Sequence, residues 1–338
     1  MTRQISDSHI YMQPHHSPTI NRPLAIVAPG LPPDLERLIF ELAARDVGPK
    51  GSTTLLLVAK RVHDWIRPLI YRVFNQMATH PFPDFHRADP QLLENIGHLA
   101  EKLLVGYNPA SKYSLKTLLS FCPNIVDLAI WESLLRVFIP ATAMDKLPLR
   151  RLSAHFSDFM YEDFLNRPFF VGLTHLDVLS FMGVYWNKQF EALTHLPNLT
   201  HLSISCSTDF DVIPQLLRHC RLLRIFMLTP DTPYLYFKRN FTKEELAEIN
   251  DHRFLLLECP PFPGLVHDWE KGARGGIDFW AFGELVSLAQ TRNYFIVPSP
   301  LYFPRVGFDW KKHLNIEGLE WFSGLQFYDP WPPTEQDE

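Results

Sequence analysis

From about Leu92 onward the apolar positions of the chain fall into a recurring unit, apolar-x-x-Leu-x-apolar. It reads Ala100/Leu103/Val105, Ile125/Leu128/Ile130, Leu149/Leu152/Ala154, Leu173/Leu176/Val178, Leu199/Leu202/Ile204 and Leu223/Phe226/Leu228, with successive central residues 24 to 26 apart. Each unit follows a similar approach, as in Leu118 to Ile125 and Leu193 to Leu199, where a helical turn runs into a Pro-Asn break. The pattern predicts a helical turn, a break and a short strand, repeated. Successive side chains of a strand point to opposite faces. The Leu, Ile and Val set therefore stacks from unit to unit into one core, and the residues flanking each central Leu line the other face.

The N-terminal part obeys a different period. Apolar residues at 35, 38, 39 and 42, then at 55, 58, 59, 62 and 66, then at 66, 69, 70, 73 and 74, each mark one face at about 3.6 residues per turn. Pro32 and Pro33 suit the first turn of a helix, where a missing N–H donor costs nothing. Three short amphipathic helices are expected between Leu31 and Phe74. So short a segment is marginal as an independent fold, since chains below roughly 40 to 60 residues bury too little surface. Leu56 and Leu57 point away from the 55/58/62 stripe, so the second helix carries apolar surface on more than one side.

The ordered set Leu31-Pro32-Pro33-Asp34-Leu35, Ile39-Phe40, Leu55-x-x-Val58-x-Lys60-Arg61-x-x-x-Trp65 and Pro68-Leu69-Ile70-Tyr71-Arg72 resembles an F-box. That motif docks substrate receptors onto the Skp-type adaptor of cullin-RING (SCF-type) ubiquitin ligases. Ala59 stands where that family usually has Cys, and Val62 where an aromatic residue is common. The resemblance implies an adaptor-facing set of Leu31, Pro32, Leu35, Ile39, Leu56, Leu57, Val58 and Tyr71. The spacing of the later unit lies within the 20 to 29 residues of leucine-rich repeats. Together the two resemble an F-box protein with degenerate leucine-rich repeats of the fungal type. The fold class implied is α/β: a three-helix F-box-like module, then a curved repeat solenoid of parallel strands with an irregular C-terminal cap. The expected organisation is a disordered leader over 1–30, the module over 31–76, a connector over 77–91, the array over 92–230 and terminal repeats with a cap over 231–338.

In that solenoid the outward residues form columns on the concave face. Asp127, Trp131, Arg151, Ser153, His155, His175, Asp177, His201, Ser203 and Ser205 make its middle polar and ionisable, which suits a target protein whose identity the columns do not give. The other reading of the chain is a repeat scaffold whose N-terminal helices merely cap the first unit. Further on, a capping box at Thr242 to Glu245 predicts a short helix to Ile249. Phe254 to Leu257 predicts a strand, Trp269 to Gly276 a loop, Ile277 to Gln290 a helix and Tyr294 to Val297 another strand. Strand, helix and strand in that order would extend a parallel sheet.

Composition narrows the function. The net charge of −5 lacks the basic excess of a nucleic-acid binder. No apolar run reaches the roughly 18 residues of a membrane span. Four cysteines without CxxC spacing, Cys122, Cys206, Cys220 and Cys259, fit buried thiols in a reducing compartment, cytoplasmic or nuclear. His175 and His201 fall on adjacent units, and with His155 or Asp177 could approach a metal, but the spacing demands no such site. His219-Cys220 has no orienting partner, and Gly272-Ala273-Arg274-Gly275-Gly276 lacks the Lys-Ser/Thr pair of a phosphate loop. His63-Asp64 reads as a solvated face. The expectation is therefore a protein-binding chain that is not an enzyme and uses no cofactor or metal.

Overall fold

The computed structural model describes residues 30–78, 81–85, 89, 91–106, 113–131, 141–155, 167–179, 193–205, 212–229, 243–257, 264–296, 302–303 and 310–326. The leader over 1–30 lies outside them apart from Gly30, as do Cys206, Cys259 and Thr242. Among the described residues nine strands form one open sheet in which every neighbouring pair is parallel and spatial order follows chain order. They are β1 (Val73–Gln76), β2 (Lys102–Gly106), β3 (Asp127–Trp131), β4 (Arg151–His155), β5 (His175–Leu179), β6 (His201–Ser205), β7 (Ile225–Leu228), β8 (Phe254–Leu257) and β9 (Tyr302–Phe303).

The register reproduces the sequence repeat. Leu103, Leu128, Leu152, Leu176, Leu202 and Phe226 are Cα partners in succession, and the column continues to Phe74 on β1 and Phe254 on β8. All of these side chains are buried in one continuous core. The opposite wall of that core comes from the connecting helices α4 (Gln91–Ile96), α5 (Leu115–Phe121), α6 (Ala141–Met144), α7 (Pro168–Val171) and α8 (Val212–His219). Local chemistry fixes where the turns sit. Ser114 caps α5 by accepting the Thr117 N–H at 3.2 Å. Asn124 and Asn198, the residues of the two Pro-Asn breaks, each donate from Nδ2 to a carbonyl of the preceding turn, His98 O and Val171 O, at 2.7 Å. Before each of β3 to β7 a backbone N–H donates to the equivalent carbonyl one unit back, in the series Val126 to Glu101, Arg150 to Val126, Thr174 to Arg150, Thr200 to Thr174 and Arg224 to Thr200.

The N-terminal segment departs from three equal helices. It comprises α1 (Pro33–Asp46), α2 (Gly48–Ser52), a 3-10 turn (Thr53–Leu57) and α3 (Lys60–Ile70). The second and third predicted stripes merge: residues 62, 66, 69 and 70 share α3, while Val73 and Phe74 belong to β1. A short apolar run suits a helix end and a buried strand equally well, which is why the periodicity misplaced them. The sheet thus begins inside the segment assigned to the module, not near Leu92. The Arg72 carbonyl accepts from the N–H groups of Glu101 and Lys102, as the first member of the series above. The outer edge of β1 is met by Phe82, whose backbone exchanges two 2.7 Å hydrogen bonds with Asn75.

The C-terminal part departs further. α9 (Lys243–Ile249) and β8 stand where expected. Trp269 to Ala273, read as a loop because of its glycines, is the end of helix α10 (Gly264–Ala273). Gly272 is there for clearance, since a Cβ at that position would fall 2.3 Å from Asp278 Oδ2. Helix α11 (Phe279–Thr291), capped by Asp278 accepting the Ala281 N–H at 2.8 Å, falls in the connection from β8 to its parallel neighbour β9. With α10 it lies across the face of the sheet opposite the main core. Tyr294 to Ile296 add no strand to the sheet: Phe295 makes one antiparallel bridge to Leu314, ahead of α12 (Ile316–Ser323), and Val297 lies outside the described residues. The last strand is β9 instead. No helix among the described residues is long and apolar enough to cross a membrane.

Candidate functional site

Two surfaces carry the residues singled out from the sequence. The first is α1. Its inner face, Phe40 and Ala44, packs on Val62, Ile66 and Ile70 of α3. Its outer face holds Leu35, Leu38, Ile39 and Leu42, which are 50%, 51%, 51% and 46% exposed, and Leu31 just ahead of the helix is 57% exposed. A surface helix ordinarily turns its apolar stripe to the core and its polar residues to water. Here the 35/38/39/42 stripe faces water. Pairs around it are polar and geometrically tight. Arg61 of α3 donates from Nη2 to Glu36 Oε1 at 2.6 Å and from Nε at 3.0 Å to Oε2, and this hydrogen bonding holds the Glu36 carboxyl below its usual range. Arg37 and Glu41 pair one turn apart at 2.6 Å.

Of the eight residues implied by the F-box resemblance, Leu31, Pro32, Leu35 and Ile39 sit together at the start of α1 and are exposed. Leu57 and Val58 are also exposed, on and just after the 3-10 turn, Leu57 at 87%. Leu56 and Tyr71 are half-buried against the α1/α3 core, where the Tyr71 ring stacks on Phe82 at 6.2 Å. Leu38 and Leu42 belong to the exposed stripe but are absent from that set. Their helical spacing from Leu35 was the signal for them.

The second surface is the set of polar columns on the sheet, and it is not open. α10 presses Val266, Trp269 and Ala273 onto Val73, Met77, Leu104 and Ala129. α11 presses Phe279, Trp280, Val286 and Ala289 onto Ile225, Met227, Leu255 and Leu257. Gly283 makes this contact possible, as a Cβ there would sit 2.9 Å from Met227 Sδ. Between the two apolar contacts lies a polar seam made of the predicted binding residues. Arg151 Nη1 donates to Asp278 Oδ2 at 3.3 Å, Trp131 Nε1 to Ser153 Oγ at 2.8 Å, and Ser153 Oγ to Asp177 Oδ2 at 2.7 Å. The rings of His175 and His201 stack 4.0 Å apart and 2° from parallel, with the Trp280 indole edge-on to both. Their Nδ1 atoms face the hydroxyls of Thr174 and Thr200, and His201 Nε2 faces Glu284 Oε1 at 3.1 Å. Stacked rings turn their faces, not their lone pairs, toward each other. Among the described residues no group of three His, Cys, Asp or Glu is placed to hold a metal.

Asp127, Asp177, His201 and Ser203 are buried, while Trp131, Arg151, Ser153, His155, His175 and Ser205 are half-buried. The expectation of an exposed binding face on these residues is corrected by the helices that cover it. Their alternation was legible, but nothing in local periodicity says which distant helix will pack on a face. Trp269 and Trp280, the two anchors of that cover, were missed. Their surplus of aromatic surface was the available hint.

The cover has an electrostatic consequence at Asp127. Burial pushes its carboxyl up to about 6, against the pull of Arg151, Lys102 and a hydrogen bond from Trp269. Between pH 3.8 and 6 the native state keeps a proton that the unfolded chain has released, so stability falls as pH rises through that window. The full penalty is on the order of 3 kcal/mol, and loss of a counter-charge for the half-buried Lys102 offsets part of any gain from removing it. Asp127→Asn is expected to raise stability by about 1–2 kcal/mol at pH 8 and to change nothing at pH 3.5. Urea denaturation midpoints at the two pH values check this, and equal effects at both would refute it.

The thiols of Cys122 and Cys220 are free and buried, with burial pushing them up to about 12 and about 11. Neither is placed as a nucleophile. No family model matches the chain, and no curated protein is detectably similar to it.

Proposed function

We propose that this chain is the substrate-recognition subunit of an SCF-type ubiquitin ligase, in which the N-terminal helices dock a Skp-type adaptor and a leucine-rich repeat array presents a target protein. In this reading it holds proteins in place and does no chemistry itself, and it works in the cytoplasm or nucleus. The observation that carries it is the water-facing apolar stripe Leu31, Leu35, Leu38, Ile39 and Leu42 on the segment that resembles an F-box. Four large apolar side chains at helical spacing, with Leu31 just ahead of them and ion pairs around them, have the layout of a helix face waiting for a groove. The register match of the 24-to-26-residue unit supports the repeat reading. Because the middle of this face is covered, target contact falls to the row at the C-terminal ends of the strands, His155 and Ser205.

Burying an exposed Leu or Ile in a partner contributes about 1.5–3 kcal/mol. The double variant Leu35→Asp/Ile39→Asp should therefore weaken adaptor binding by about 100-fold or more. Its unfolding midpoint should match wild type, because both side chains already face water. Co-purification with a Skp-type adaptor reads the effect, and undiminished capture would remove the ligase reading.

One observation favours the second reading, a repeat scaffold without a ligase role. α3 runs directly into β1, and Arg67 Nη2 donates to Asn95 O at 2.7 Å, so the helices are also fastened to the first turn of the array. That reading requires no adaptor, and the same co-purification separates the two.

A further inference from the structure

Beside the apolar stripe of α1 runs a row of charges. Asp34, Arg37, Glu41 and Arg45 follow one another at helical spacing, so they keep to one flank of the stripe along the whole helix. Their signs alternate: minus, plus, minus, plus. Glu36 lies on the other flank and is taken by Arg61 of α3. Arg37 and Glu41 pair within the helix at 2.6 Å. The two ends of the row, Asp34 and Arg45, are exposed and make no ion pair among the described residues.

A row that alternates in this way is complementary to itself. Read backwards it becomes plus, minus, plus, minus, so a second copy of α1 laid antiparallel sets opposite charges side by side along its whole length. A two-fold axis between antiparallel helices brings the same flank of each to the same side, as that match requires. A parallel copy turns its row to the opposite side and forms none of these pairs. The apolar positions obey the same symmetry: Leu35 stands opposite Leu42 of the second copy, and Leu38 opposite its Ile39. In that register Asp34 lies within about 3 Å of level with Arg45 of the second copy along the axis, inside the reach of an arginine. We infer that the free chain forms an isologous dimer through α1, stripe against stripe and antiparallel, with Asp34 of each copy beside Arg45 of the other. Exposed ion pairs add little affinity, so apolar burial drives the pairing and the charges fix its direction. Contact through one helix per chain is small, and the dimer is weak and reversible. The self-pairing does not depend on the ligase reading. One consequence does rest on it: an adaptor that takes the same stripe must first split the dimer, so self-pairing shields the docking face until an adaptor arrives.

The test is sedimentation equilibrium of the purified full chain at low ionic strength, over about 5 to 500 μM, the range of weak contacts. Mass should rise reversibly from monomer to dimer and no further, since an isologous contact closes on itself. Leu35→Asp/Ile39→Asp should abolish the rise. Asp34→Arg and Arg45→Asp should each weaken dimerisation about fivefold or more, because each sets like charges together at both ends of the contact. The two variants mixed, or both changes in one chain, should dimerise as well as wild type. All four side chains are exposed, so the variants keep the fold, and unchanged unfolding midpoints check that. A monomer at every concentration overturns the proposal and leaves the stripe to an adaptor or to another part of this chain. Dimerisation that survives Leu35→Asp/Ile39→Asp overturns it as well, since the contact then lies elsewhere. Single charge variants that dimerise like wild type, a mixture that does not recover, or mass beyond the dimer refute the antiparallel order. A chain that dimerises as expected and yet captures no adaptor counts against the ligase reading alone.

Discussion

Trp280→Ala should cost about 3–5 kcal/mol of stability, the range for truncating a buried Trp. The indole is 7% exposed, sits edge-on to His175 at 5.2 Å and to His201 at 5.8 Å, and packs against Phe279 at 4.4 Å. It touches both stacked rings from the covering helix. Truncation leaves a void between α11 and the sheet that backbone on either side cannot close, because the strands are fixed by their neighbours. Urea denaturation gives the loss. Amide exchange should also show β5 and β6 losing protection before β2 and β3, which lie under α10. A cost below about 1 kcal/mol, or uniform loss of protection, would mean that α11 is not anchored there.

Acid should expose the second large effect. His175 is held neutral, its imidazole lowered to about 2 by burial first and then by His201, Arg151 and Arg224. Glu284, Asp278 and Asp177 face the same seam. Below pH 6.5 the unfolded chain takes up a proton that the native state refuses, so stability is lost as pH falls from 6.5 toward 2. Two pH units amount to about 2.7 kcal/mol, discounted to about 2 kcal/mol because the ring is only half-buried. Asp127 works in the opposite direction between pH 6 and 3.8, so wild type alone shows a muted profile. The comparison with His175→Gln isolates the histidine: the variant should gain about 2 kcal/mol on wild type between pH 7 and 4.5. A constant difference between the two proteins across that range would show that the ring titrates freely.

The repeat was legible because each unit satisfies its core locally. Leu103 to Phe226 mark a buried column whose period is set by the turn itself, and the strands found their predicted register without help from distant residues. The exposed stripe of α1 was equally visible as a pattern, since 35, 38, 39 and 42 define a face whatever that face meets. What the pattern could not supply was direction. The rule that an apolar face turns inward fails for α1, and it gives no address for α11, whose indole reaches back across the sheet to His201 and His175. The polar columns were misjudged for the same reason. Arg151, Asp177 and His201 look like a surface until Asp278 and Glu284 arrive to pair with or neighbour them. Gly272 is instructive as well: a glycine that suggests a loop is here a clearance for Asp278 inside a helix.

The Phe82 backbone beside Asn75 has a bearing on the life of the protein in a crowded solution. A sheet whose strands line up in chain order ends in a row of unpaired amides, and such a row invites another molecule to continue it. Two 2.7 Å bonds and a tyrosine ring set over the intruding phenylalanine occupy that row at its first strand. The molecule thereby carries its own stopper against stacking end to end into fibres.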